Sequence, residues 1–144
     1  MVMSQQGICS MQNISEKDVH ISIVEYLNHA LPRGSLIHHS ANEGRRHVRH
    51  AVNLKRMGLH TGWPDLEVIV PRQFFWIEFH WSPFFLEVKA PGGKGRRKGK
   101  VSKAQRQTLD MLRAAGCYTA VVHSIDEVIA ELSKYIMLES DYTQ

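Results

Sequence analysis

The sequence predicts an α/β domain in which helices flank a central mixed sheet. Two helices are predicted to begin at capping boxes, Ser102 with Gln105 and Ser124 with Glu127, and an earlier helix begins at the N-cap Ser15. Three runs rich in aromatic and β-branched residues follow the first helix, and a fourth run follows Gly116. The predicted order is helix, three strands formed by hairpins, helix, strand and helix, with a basic segment before the first strand.

Length and composition fit one compact domain. The chain has 144 residues, of which 43% are hydrophobic, so it can bury a sizeable core. No apolar run reaches the ~18 residues of a membrane-spanning helix, and the N-terminus lacks the pattern of a signal peptide. We expect an intracellular, cytoplasmic protein with Cys9 and Cys117 as reduced thiols. The predicted domain covers residues 14–138, between a flexible lead-in at 1–13 and a tail at 139–144.

The first helix has an amphipathic pattern that ends near Leu31. At 100° per residue, Glu16 shares the predicted buried face with four residues: His20, Ile23, Val24 and Leu27. After a turn, Leu36 to His39 is compatible with a short extended piece. The basic segment that follows is predicted to be helical and to end at Gly58.

The remaining elements follow from strand patterns and turn residues. The predicted strands are Leu66 to Val70, Phe74 to Trp81, Phe84 to Lys89, and a buried strand from Cys117 to His123. A helix starting at Ser102 ends at Ala115, with Gly116 as the C′ residue. The last helix carries one apolar stripe: Val128, Ile129, Leu132 and Ile136.

Three charged residues indicate chemistry on this scaffold. Asp65 follows a Gly-Trp-Pro turn, and Glu87 and Lys89 lie two residues apart on one predicted strand, so their side chains share a face. Two acids and a lysine on neighbouring strands are costly unless they bind something, and a divalent cation with a phosphate is the natural ligand. The structural alternative is a turn residue at Asp65 and an exposed ion pair at a strand edge.

Basic residues suggest a polyanionic partner. The net charge is +4, and every charged residue in one glycine-rich stretch is basic: Lys89, Lys94, Arg96, Arg97, Lys98, Lys100, Lys103 and Arg106. We predict a mobile cationic loop here, with a solubilising surface loop as the alternative. Arg45, Arg46 and Arg49 form a second basic stretch. Such residues would contact phosphates and contribute affinity rather than sequence choice.

These motifs and their order resemble the PD-(D/E)xK nuclease superfamily with its restriction-endonuclease-like core, and within it the virus-type replication-repair (VRR-NUC) nucleases. The resemblance covers roughly residues 15 to 137. It rests on Glu16, Asn42-Glu43-Gly44, Lys55-Arg56-Met57-Gly58, Thr61-Gly62-Trp63-Pro64-Asp65, Leu86-Glu87-Val88-Lys89, Ser102-Lys103-Ala104-Gln105 and Gly116. The sequence departs from the compact form of the family at the aromatic hairpin Phe74 to Phe85 and at the loop Gly92 to Val101.

The resemblance implies a metal-dependent DNA endonuclease. Asp65, Glu87 and the backbone carbonyl of Val88 would bind Mg²⁺, for which Mn²⁺ should substitute, and Glu16 is a further candidate ligand. Lys89 would orient or deprotonate the attacking water, assisted by Gln105, whose capping role is the structural alternative. DNA contacts would come from the basic residues: Arg45, Arg46, Arg49, Lys94, Arg96, Arg97, Lys98, Lys100 and Lys103.

The resemblance also implies a homodimer that acts on branched DNA, such as Holliday junctions, in replication, recombination or repair, in a bacterial or viral setting. The aromatic hairpin is a candidate dimer interface because its aromatic residues exceed what one small core easily absorbs. The alternatives are a non-catalytic DNA-binding module on the same fold, a sequence-specific restriction-type enzyme, and a basic RNA-binding protein. The nine histidines show no zinc-ligand spacing, and Glu78 is followed by His80 where the motif requires lysine.

Overall fold

The computed structural model describes residues 13–40, 48–77 and 83–139. Its elements are α1 (Glu16–Ala30), β1 (Leu36–His39), α2 (Val48–Arg56), β2 (Leu66–Ile69), a 3₁₀ turn (Arg72–Phe74), β3 (Phe84–Val88), α3 (Lys103–Ala114), β4 (Tyr118–Val122) and α4 (Ile125–Leu132).

The four strands form one mixed sheet in the order β1-β2-β3-β4. The pairs β1-β2 and β2-β3 are antiparallel, and β3-β4 is parallel. This confirms the predicted α/β class with a mixed sheet flanked by helices. Because β3 lies inside the sheet, Glu87 is not on a strand edge, and the alternative of an exposed ion pair is wrong.

The main core lies between the sheet and the helices α1 and α4. Leu86 and Val88 of β3 point into it and pack with the buried face of α1, which consists of Val19, Ile23 and Leu27. Since side chains alternate along a strand, Phe85 and Glu87 point to the opposite face, where Gln105 of α3 contacts Glu87. The strand therefore carries its acid on the face that α3 covers.

The strand predicted at Phe74 to Trp81 is wrong over its described part. The chain forms the 3₁₀ turn, and then Phe75 pairs with Ile136 in an isolated antiparallel bridge. Trp76 N donates to the Tyr135 carbonyl at 2.9 Å, so the partner of this segment is the C-terminal segment and not a hairpin strand. The third strand before α3 is instead β1, which antiparallel pairing with β2 completes.

Three helices begin at the N-cap residues that the sequence predicts. Ser15 and Ser102 cap α1 and α3 with reciprocal capping boxes. Ser124 caps α4, but the Glu127 carboxylate bonds to the backbone of His123, so the predicted reciprocal box is wrong there. The last helix, α4, ends at Leu132. The strand β4 lies at the edge of the sheet, and Val122 is its one buried residue.

Two further sequence predictions concern cysteines and membranes. Cys117 is a free thiol, and Cys9 lies outside the described residues. None of the helices in the described part of the chain has the length and apolarity needed to cross a membrane.

Candidate active site

Glu87 is the centre of a buried charged cluster. The residue is 0% exposed, and its Oε1 accepts hydrogen bonds from Lys89 Nζ at 2.7 Å and from Gln105 Nε2. Its second oxygen, Oε2, is buried and has no hydrogen-bond partner among the described residues. An unpaired buried carboxylate oxygen is costly, so Oε2 is a candidate metal ligand.

Asp65 is fixed beside this cluster, one residue before β2. Its Oδ2 accepts a hydrogen bond from the backbone N of Val88 at 2.8 Å, on the strand that carries Glu87. Its carbonyl oxygen accepts from Ser40 N at 3.0 Å and lies 2.9 Å from His39 Nδ1. Both the backbone and the side chain of Asp65 are therefore held in place.

Lys89 lies between the acids. It is 6% exposed, and its ammonium group is 3.7 Å from Glu16 Oε1 in addition to its contact with Glu87. The other Glu16 oxygen accepts from Ala90 N at 3.2 Å, so the first residue of α1 contacts the chain just after β3. The Glu16 side chain contacts Lys89 and Ala90 beside the sheet but is 39% exposed, so it lies at the edge of the buried face that the sequence predicts for it.

Gln105 makes the capping contact and a contact with the charged cluster at the same time. Its Oε1 accepts from Ser102 N at 2.8 Å in the capping box, while its Nε2 donates to Glu87. Gly62 allows α3 to approach this closely. A Cβ at Gly62 would lie 2.6 Å from Ala104 C and 2.7 Å from Gln105 N, and its φ of +77° also favours glycine. The Gly-Trp-Pro-Asp turn thus positions both Asp65 and Gln105.

Burial and the attraction between the charged groups oppose each other in this cluster. Burial raises the pKa of Glu87 from 4.5 to about 7 against the opposing effect of the Lys89 hydrogen bond, and the charge of Asp65 adds to the increase. For Lys89, burial lowers the pKa, but the hydrogen bond and charge of Glu87, with Glu16 and Asp65, outweigh burial and raise the pKa above its usual value. A cation bound at Glu87 would therefore favour its ionised form over the protonated form that burial favours.

The residues fit a hard divalent cation that is mostly hydrated. Asp65 and Glu87 supply two carboxylates, and Glu87 Oε2 is an oxygen without a protein partner. No group of three His, Cys, Asp or Glu side chains within the described ranges is arranged to hold a metal. A metal here would need water or substrate oxygens as well, which is the mode of binding that Mg²⁺ prefers. The Val88 carbonyl stays a prediction, since the contact seen at Val88 is its N–H to Asp65.

The basic residues lie on two separate surfaces. Residues 90–100 form the basic hairpin, in which Gly93 and Arg96 exchange backbone hydrogen bonds of 3.0 Å at the tip and Gly99 N donates to the Ala90 carbonyl at the base; the mobility of this cationic loop stays a prediction. This hairpin carries Lys94, Arg96, Arg97, Lys98 and Lys100, and Lys103 begins α3. The second surface is α2 with Arg49. The predicted contacts Arg45 and Arg46 lie outside the described residues, as do Glu43, Glu78 and His80.

The aromatic segment contributes to the core more than predicted. Phe75, Phe84 and Phe85 are each at most 6% exposed, so the premise that one small core cannot absorb these aromatics is wrong for them. Trp76 is 51% exposed and Ile77 is 55% exposed. Phe79 and Trp81 lie outside the described residues.

The fold defines an α/β protein with a mixed sheet flanked by helices, and comparison with known families assigns it to a nuclease-type family. The model of the VRR-NUC domain family matches residues 10–126, and the chain therefore belongs to that family. A solved structure described as a VRR_NUC domain protein is similar over 88% of this chain and 91% of its own, with a TM-score of 0.62 and 25% sequence identity. A comparison with curated proteins finds no match.

Sequence reasoning brought the five predicted residues of the cluster together but missed their supports. The sequence pattern indicates Gly62 as a turn residue within the family motif and assigns no contact in the site to His39. His123, which contacts the basic hairpin, gave no signal at all. Each of these residues acts through a contact distant in sequence, and no local pattern reports such a contact.

Proposed function

We propose that the protein is a metal-dependent DNA endonuclease that hydrolyses phosphodiester bonds in branched DNA. The observation that carries this proposal is the buried Glu87 carboxylate, with one unpaired oxygen, between Asp65 and Lys89 in a VRR-NUC domain. Hydrolysis requires an activated water, stabilisation of an anionic transition state and help for the leaving oxygen. A metal cation bound next to the Lys89 ammonium group would meet all three requirements.

Asp65 and Glu87 would hold Mg²⁺ or Mn²⁺, which when bound lowers the pKa of a coordinated water and polarises the phosphate. Lys89 orients the attacking water and offsets the phosphate charge, because its ammonium group lies at the Glu87 carboxylate. Gln105 fixes the orientation of that carboxylate through Oε1 and leaves Oε2 for the metal. Glu16 limits the position of Lys89 from the other side and would be a further metal ligand.

The basic hairpin would contact the DNA backbone close to the cluster. Lys94, Arg97 and Lys100 form no ion pair with any described residue and are exposed. Their charge is therefore available to phosphates, whereas Lys98 is paired with Glu127 at 3.0 Å. Affinity from these contacts should fall steeply with salt concentration.

Helix α2 would supply a second contact with DNA. It has nine residues and buries none of them, although helices this short are marginal without packing. Arg49, Asn53 and Arg56 are spaced four and three residues apart and so form one stripe, and the first turn contains no acid. Charge complementarity thus makes the DNA backbone the expected partner of this helix.

Branched substrates and a homodimer are the finer parts of the proposal. Two active sites in a dimer would address two strands of a junction during replication, recombination or repair. Exposed Trp76 and Ile77 are candidates for the dimer surface. A monomer by light scattering at micromolar concentration, with and without DNA, would contradict the dimer.

Cleavage of a labelled substrate panel tests the function. A four-way junction, a flap, a nicked duplex, a plain duplex and single strands of DNA and RNA are incubated with Mg²⁺, Mn²⁺ or chelator. We expect metal-dependent cutting that favours the junction and that Asp65→Asn abolishes. Binding without cutting in either metal would identify a non-catalytic DNA module, and cutting of plain duplex at one defined sequence would identify a restriction-type enzyme.

A further inference from the structure

The base of the basic hairpin closes directly after β3, beside Lys89. Gly99 N donates to the Ala90 carbonyl at 2.9 Å, and Lys89 N donates to the Val122 carbonyl at 2.9 Å. A Cβ at Gly99 would lie 3.0 Å from Ala90 N and 3.2 Å from Lys89 Cβ. A shift at Gly99 would therefore change both the direction of the hairpin and the surroundings of Lys89.

His123 holds Gly99 from the end of β4. Its Nε2 lies 3.1 Å from the Gly99 carbonyl oxygen, and its Nδ1 lies 3.0 Å from Glu127 Oε2. A carbonyl oxygen and an ionised carboxylate can only accept hydrogen bonds. Both contacts are hydrogen bonds only when both ring nitrogens carry a proton, so the geometry selects the imidazolium form of His123. The side chain is 15% exposed, so water has little access to replace either partner.

Glu127 provides a second link between His123 and the basic hairpin, through Lys98. One oxygen accepts from the backbone N of His123 at 2.8 Å, and the other accepts from Lys98 Nζ at 3.0 Å. Burial raises the pKa of Glu127, but the hydrogen bonds from Lys98 and His123 outweigh burial and lower it to about 2. The carboxylate is therefore ionised, as the acceptor role requires. The charged groups that the described contacts place at His123 are Glu127 and, through it, Lys98.

We propose that His123 and Glu127 are positioning residues that clamp the base of the basic hairpin beside Lys89, and that DNA binding by the hairpin depends on the imidazolium form of His123. The DNA part rests on the proposed function. Loss of the ring proton would leave a nitrogen lone pair facing an oxygen at about hydrogen-bond distance. That contact is repulsive whichever ring nitrogen loses its proton, so the link from Glu127 through the ring to Gly99 is broken and the phosphate contacts of the hairpin lose their fixed geometry.

The test combines a spectroscopic readout with DNA binding. Nitrogen-15 correlation spectra of the wild-type imidazoles report whether both nitrogens of His123 are protonated. Affinity for a labelled duplex is measured in chelator from about pH 5.5 to about pH 8.5. The variants are His123→Gln and Glu127→Gln, and His29→Gln is the matched control, since His29 is exposed in the last turn of α1.

We expect a doubly protonated His123 at pH values where the wild type binds tightly, and about tenfold weaker binding by His123→Gln there, the scale of one charged hydrogen bond. The wild type should approach the affinity of His123→Gln as the ring loses its proton, while His29→Gln keeps the wild-type profile. A singly protonated ring at the lowest pH, or identical pH profiles for wild type and His123→Gln, would overturn the clamp. If no nucleic acid binds at any pH, the proposed function fails, and the spectra still decide the state of the ring.

Discussion

Replacing Gly62 by alanine should damage the fold and the site together. Gly62 has φ of +77°, and an added Cβ would lie 2.6 to 2.7 Å from the backbone atoms of Ala104 and Gln105. Such distances require movement of backbone, because no flexible side chain can yield there. The movement would separate the Asp65 turn from the first turn of α3, which carries Gln105.

The expected cost has two parts. The left-handed conformation costs about 1 to 2 kcal/mol for a non-glycine residue, and overpacking adds about 1 to 3 kcal/mol. Gly116→Ala is the matched control, because Gly116 has φ of +88° and no atom within 4 Å of the added Cβ. Gly116→Ala should therefore show the first part alone, and Gly62→Ala should exceed it by about 1 to 3 kcal/mol.

Urea unfolding gives both free energies, and cleavage rates under conditions where both variants are folded give the effect on the site. Gly62→Ala should cut more slowly than Gly116→Ala, because Gln105 loses its contact with Glu87. Equal destabilisation by the two substitutions, or an unchanged cleavage rate in Gly62→Ala, would refute this reasoning.

Three further predictions concern titration and capping. In chelator, the free energy of unfolding of the wild type should fall by up to about 3 kcal/mol as pH rises from 4.5 past 7, because the folded state keeps the Glu87 proton to higher pH than the unfolded state does. If the same dependence of the unfolding free energy on pH persists in Glu87→Gln, Glu87 is not its cause. Glu127 has a lowered pKa, so its stabilisation is present above pH 4.5 and lost as pH falls through about 2; Glu127→Gln should be less stable than wild type at neutral pH, and acid titration should show the two converging near pH 2. Ser102→Ala should cost about 1 kcal/mol in urea unfolding with little effect on cleavage, since the backbone N of residue 102 still binds Gln105; a large loss of cleavage would show that the Ser102 hydroxyl matters to the site.

The helices were predictable because their starts are local. Ser15 and Ser102 bond to the backbone three residues further along, so the signal lies within one turn of the helix. The strand prediction for the segment after Phe74 is wrong for the opposite reason. Its aromatic pattern is typical of a strand, but its hydrogen-bond partner is Tyr135, which no local pattern identifies.

The identity of the site residues was predictable from the sequence, but their burial and their contacts with one another were not. Asp65, Glu87 and Lys89 follow from motif order and strand alternation. Their burial, the hydrogen bond from Val88 N to Asp65, and the unpaired oxygen of Glu87 depend on how β2, β3 and α3 pack. Gln105 shows the same limit, because the capping and site roles were predicted as alternatives and the packing permits both.

The most direct test of the central claim is single-turnover cleavage of a four-way junction in Mg²⁺ by the wild type, by Lys89→Ala and by the control Lys134→Ala. Lys134 is an exposed lysine that pairs with Glu131 away from the site. We predict that Lys89→Ala loses at least about 100-fold in rate while it still binds the junction, and that Lys134→Ala cuts like the wild type. Cleavage by Lys89→Ala at the wild-type rate, in folded protein, would contradict the assignment of this cluster as the active site.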